Sequence, residues 1–97
     1  NLWQYRFDGT VISKISLSSF ASEIAGLCYD PVAGQLWVTD SNKCVIYLCS
    51  VDGTLLATYE VPYIENLESI CVDRQRNCIW VGSDEDSPKL YKIDFTF

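Results

Sequence analysis

The stretch GLCYDPVAGQLWVTD, residues 26–40, returns 43 positions later as SICVDRQRNCIWVGS, residues 69–83, and this recurrence restricts the fold more than any other feature of the chain. Leu27 matches Ile70, Cys28 matches Cys71, Asp30 matches Asp73, and Leu36-Trp37-Val38 matches Ile79-Trp80-Val81. Beyond that core the register slips by one residue, because SDEDSPK (83–89) is longer than its counterpart, and Ile46-Tyr47 then falls over Leu90-Tyr91. A partial copy opens the chain: FDGTVISKISL (7–17) aligns with VDGTLLATYEV (51–61) at a shift of 44. In 97 residues there is room for little besides the repeat.

Each full unit predicts four short strands, A to D, at about 25–29, 35–39, 44–50 and 54–61 in the complete copy. Asp30-Pro31 with Gly34 punctuates A to B, and Asp-Gly at 52–53 and 8–9 punctuates C to D. Four antiparallel strands per unit of 40 to 50 residues is the signature of a β-propeller blade. Blades bury both faces against neighbours, so their strands need apolar side chains of both parities. Strand B supplies them, with Leu36 and Val38 opposed to Trp37, and so does strand C, with Val45, Tyr47 and Cys49 opposed to Ile46 and Leu48.

The expected fold is therefore all-β and the organisation a single domain of about two blades: a partial blade over 1–17, a full one over 23–61 and a partial one over 66–97, nine strands in all. Propellers close with about four to eight blades. Two readings follow: several copies complete a ring by homo-oligomerisation, three of them giving about six blades, or the chain is a piece of a longer protein. In the ring reading the N-terminal strand completes a blade begun by the C-terminal strands of the next copy. Trp3 and Tyr5, in the opening strand, are the candidate oligomer-interface residues.

An apolar share of 48 % with 13 % aromatics excludes a disordered chain and favours sheets. Thirteen acids stand against seven bases, a formal charge of −6, and the bases form no stripe, which argues against nucleic acid as a partner. No apolar run approaches the roughly 20 residues of a membrane-spanning helix, so the chain reads as soluble. Five cysteines lie mostly in apolar strand text, where small buried hydrophobes, one or two disulfides or, least of all, a metal site could account for them. With no His and no G-x-S-x-G, a nucleophilic triad has no base, and no glycine-rich phosphate loop exists.

EIAGLCYDPVAGQLWVTDSN (23–42) and ENLESICVDRQRNCIWVGSDED (65–86) resemble the blades of the SdiA-regulated family and, more loosely, those of NHL, phytase-like and gluconolactonase-like propellers. The resemblance implies a propeller. In that pattern a Glu stands just before strand A. Glu68 holds this place in one copy, while Ala25 holds it in the other, with Glu23 two positions earlier. Likeness to the lactonases implies that such a Glu, with Asn and Asp residues at loop tips, holds a divalent cation that polarises a lactone.

Oxygen ligands are the plentiful chemical resource: Asp40, Ser41 and Asn42 after the first strand B, and Asp84, Glu85 and Asp86 after the second. Ca²⁺ or another hard cation would suit them, whereas turn formation explains the same residues without a ligand. Asp30 and Asp73 suit turn capping. The candidate ligand- or channel-facing residues are thus Glu23, Glu68, Asp40, Asn42 and Asp84. The leading expectation is a non-enzymatic binding or scaffold module for a small-molecule or protein ligand. A cation-dependent lactonase-like or phytase-like hydrolase, and a purely structural propeller fragment, are the alternatives.

Overall fold

Reversals at Asp-Gly and Asp-Pro set the strand ends, and apolar residues of both parities set the packing. The computed structural model describes residues 1–97 as nine strands: β1 (Leu2–Tyr5), β2 (Val11–Ile15), β3 (Ile24–Asp30), β4 (Gln35–Asp40), β5 (Val45–Ser50), β6 (Leu55–Glu60), β7 (Leu67–Asp73), β8 (Cys78–Ser83) and β9 (Lys89–Asp94). They form three antiparallel meanders: a hairpin β1-β2, a four-stranded sheet β3-β4-β5-β6 and a three-stranded sheet β7-β8-β9. The fold is all-β, and the three sheets form an open array.

The turns follow from their residues. Gly9 and Gly53 take φ of 91° and 92°, where only glycine escapes a Cβ clash. The preceding aspartates close these turns, Asp8 Oδ1 accepting the Thr10 N–H at 2.9 Å and Asp52 Oδ1 that of Thr54 at 3.1 Å. Between the first two strands of each unit, Asp30 accepts the Val32 N–H and Asp73 that of Arg76, both at 3.1 Å.

Parity in the middle sheet works as the sequence requires. Trp37 and Ile46 point to a core shared with Val61, Ile64, Leu67, Ile70, Ile79 and Val81, on the side of the third sheet. Val38, Val45, Tyr47 and Cys49 point the other way, to a core closed by Leu17 and by Leu2 and Ile15 of the hairpin. The middle sheet is thus covered by the third sheet on one face and in part by the hairpin on the other, which is why β4 and β5 carry so few polar residues.

Two sequence expectations change. Cys44 does not begin strand C: it sits in the turn before β5 at φ 54°, because the four-residue reversal 41–44 needs a left-handed position there. Trp80 is not the equal of Trp37 as a core residue. It is half-buried on the far side of β8, where nothing stacks on it, and its indole N–H reaches Asp73 at 3.2 Å. All five cysteines are free thiols, Cys49 and Cys78 buried and Cys71 exposed.

β3 and β7, the first strands of successive units, approach closely at Gly26. A Cβ there would run into the backbone oxygen of Glu68 and lie 3.0 Å from Ser69 Cα. Gly26 pairs across the strand with Thr39, whereas its match Ser69 pairs with Gly82; the side chain has moved to the opposite strand of the pair. Gly26→Val should cost about 3 kcal/mol, since the obstacle is backbone that has no room to yield. A urea midpoint equal to that of the native chain would contradict this packing.

Candidate functional site

The loops that lead into the first strand of each unit and those joining its second and third strands lie together, and one carboxylate organises each group. In the middle unit it is Asp40, the last residue of β4 and fully buried. It accepts the N–H groups of Ser22 (2.9 Å), Glu23 (3.3 Å), Asn42 (3.1 Å) and Lys43 (3.2 Å), with the Ser22 and Tyr47 hydroxyls also at 3.3 Å. Lys43 Nζ and the Tyr47 hydroxyl both reach the Phe20 carbonyl, at 2.9 and 3.0 Å, and the Phe20 and Tyr47 rings meet edge to face at 4.9 Å. Burial opposes the ionised Asp40, but the N–H groups of Ser22, Lys43 and Glu23 outweigh it and hold its pKa below the ordinary 3.8. Burial and the Asp40 charge raise the pKa of Tyr47.

In the third unit Ser83 stands at the position matching Asp40, and its hydroxyl donates to the Glu65 carbonyl. The carboxylate comes instead from Glu85, two residues later. Glu85 Oε1 accepts the Glu65 N–H at 3.4 Å and the Tyr91 hydroxyl at 3.3 Å, and Oε2 lies 3.2 Å from Lys89 Nζ. Glu65 and Tyr91 match Ser22 and Tyr47, so Glu85 does the work of Asp40 from a different position. The anchor is looser here: Tyr63 and Tyr91, the counterparts of Phe20 and Tyr47, are 6.4 Å apart and border an open depression of about 450 Å³ with Glu65, Glu85 and Lys89.

The structure disperses the residues singled out from the sequence. Asp40 has its acceptor capacity filled by the chain itself. Asn42 is exposed, its N–H on Asp40 and its Nδ2 donating to Ser22 Oγ at 3.1 Å. Glu23 and Glu68 are exposed, and only their backbone groups are engaged, Glu23 N–H with Asp40 and the Glu68 carbonyl with Thr39 Oγ1 at 3.3 Å. Asp84 is exposed and touches Asn66 through its backbone. No group of three or more Asp, Glu, Cys or His side chains converges to hold a metal ion. Trp3 and Tyr5 are about half exposed, stacked at 6.1 Å, with Lys14 Nζ 4.7 Å from the Trp3 ring centroid.

Two features escaped the sequence reading. Asp30, besides capping its turn, takes a forked ion pair from Arg74 of the next unit at 2.8 to 3.0 Å, so the two turns are clamped together. This pair lowers the Asp30 pKa, against the effect of burial. The second feature is an apolar cleft of about 460 Å³ between the hairpin and β3-β4, bordered by Leu2, Trp3, Ile15, Leu27, Tyr29 and Leu36. Leu27 and Tyr29 remain 49 % and 54 % exposed. Which part of this face is left bare depends on how many strands the neighbouring sheet contributes.

Three antiparallel sheets made from one recurring unit, joined through both faces of the middle one, define an all-β repeat protein that presents sheet faces and loop tips. The SdiA-regulated family matches residues 1–96, and the chain belongs to that family. Among curated proteins none matches it.

Proposed function

We propose that the chain is a propeller-type binding or scaffold module that assembles through its sheet faces, copies of itself supplying the further blades, with three copies forming a ring of about six. The observation that carries this reading is the bare half of the β3-β4 face. Leu27 and Tyr29 match Ile70, which is buried, and Val72, which is partly buried, yet the two-stranded hairpin is too narrow to cover them. Apolar area of that kind favours association. The hydrolase implied by likeness to lactonases has no converging ligand set to support it and does not enter the proposal.

Light scattering on the purified chain tests the reading. Three chains of 11.0 kDa should give a particle of about 33 kDa. A mass of one chain that persists at concentrations in the hundreds of micromolar would overturn it.

A further inference from the structure

The loop groups organised by Asp40 and Glu85 are built on one plan, and in the middle unit that plan includes an ammonium group. Lys43 Nζ donates to the Phe20 carbonyl at 2.9 Å, and the Tyr47 hydroxyl reaches the same oxygen at 3.0 Å. The rings of Phe20 and Tyr47 meet at 4.9 Å. In the third unit Tyr63 matches Phe20, and the shift of 44 that carries Tyr47 to Tyr91 carries Lys43 to Ser87. A serine is too short to take the part of that lysine. The Tyr91 hydroxyl turns to Glu85 Oε1 at 3.3 Å, no side chain donates to the Tyr63 carbonyl, and the two rings stand 6.4 Å apart beside the open depression of about 450 Å³.

Charge has changed along with shape. Asp40 and Lys43 are one acid and one base, whereas three acids border the depression, Glu65, Glu85 and Asp86, with Lys89 alone to offset them. Lys89 does not stand in for Lys43: it matches Val45, lies 3.2 Å from Glu85 Oε2 and is 56 % exposed. Glu85 Oε2 is closed to solvent and receives no hydrogen bond, the Lys89 contact being off axis, so this carboxylate keeps acceptor capacity that the chain does not fill.

We propose that this depression binds a primary ammonium group on an alkyl stem, presented by a lysine side chain of a partner polypeptide or by a free amine, in the way the middle unit binds Lys43. The head donates to the Tyr63 carbonyl and is balanced by Glu65 and Asp86. The stem lies along the rings of Tyr91 and of Tyr63, which is 61 % exposed. A primary ammonium fits better than a quaternary one, because the carbonyl at the matched place takes an N–H donor. Every lining residue belongs to one chain, so the inference goes beyond the assembly reading and does not rest on it.

Heteronuclear NMR on the whole chain tests it with three probes: Nα-acetyl-lysine methylamide, butylammonium, and Nα-acetyl-norleucine methylamide, which keeps a stem without the charge. The lysyl probe should shift the amides of Tyr63, Glu65, Glu85 and Ser87 with a dissociation constant of about 1 mM, the strength of one charge-assisted contact with a packed stem. The norleucine probe should shift none. Preference for the lysyl probe over butylammonium assigns the source to a polypeptide, and equal binding assigns it to free amines. Ser87→Lys, at an exposed position, supplies an ammonium from the chain itself and should weaken the lysyl probe about tenfold. Tyr63→Ala removes a stem contact without altering charge and should weaken it about threefold. Equal shifts from the norleucine probe, shifts spread over the acidic surface, or undiminished binding to Ser87→Lys would overturn the proposal. A single-copy mass with probe binding intact would sink the assembly reading alone, and a ring without probe binding would sink this inference alone.

Discussion

Trp37→Ala should lower stability by about 4 kcal/mol, the range for removing a large aromatic from a closed core, while Trp80→Ala at the matched position should cost less than half as much. The indole of Trp37 is 2 % exposed. It stacks on Tyr59 at 5.8 Å and takes the edges of Phe95 and Phe97 at 5.3 and 6.3 Å, so its loss opens a cavity among aromatic rings drawn from the middle sheet and the C-terminal tail. Its N–H finds no partner, and Trp37→Phe should therefore retain most of the stability despite the smaller ring. Trp80 loses one hydrogen bond to Asp73 and a half-buried surface. Urea melts of the three variants check the ordering; equal losses at 37 and 80 would mean that the outer face of the third sheet is as well covered as the face of the middle sheet that carries Trp37.

Asp40→Ala should cost about 3 kcal/mol, because the N–H groups of Ser22, Glu23, Asn42 and Lys43 lose their common acceptor in a buried place. The same carboxylate makes stability depend on pH. Its folded pKa lies below the ordinary 3.8, so its contribution is fully present above the unfolded value and is lost as pH falls from about 4 through the folded pKa. Asp40→Asn keeps one acceptor oxygen but removes the charge. It should lose less stability at pH 7 than the alanine variant and show a flatter acid limb between about pH 4 and 2. An acid limb as steep as that of the native chain would assign the dependence to other carboxylates, Asp30 first among them.

Much of the fold was legible because its determinants are local. Asp-Gly and Asp-Pro mark reversals wherever they occur, and the paired parities of Leu36, Trp37 and Val38 demand two covered faces. What escaped was set by neighbours. Trp37 and Trp80 are identical in local text, yet one is sealed by a sheet and a tail while the other faces outward. Phe95 and Phe97 carry no strand pattern that would bring them to Trp37. Among the candidate site residues, Asp40 and Asn42 were legible as loop oxygens suited either to a ligand or to a turn, and Glu23 and Glu68 were paired by their position before strand A alone, because sequence carries no distance between side chains. Glu85 stood out only as one of three clustered acids, and its equivalence to Asp40 was hidden by the alignment itself, since the matched position is Ser83.

The migration of the anchoring carboxylate from residue 40 to two places further along in the next unit bears on how such arrays change over time and on how they can be built. Averaging the two units column by column would yield a chimera with Asp at the first place and Glu at the second, two negative groups competing for one tyrosine and one amide. An engineered array would have to copy each anchor as a set, with its own loop length and its own lysine.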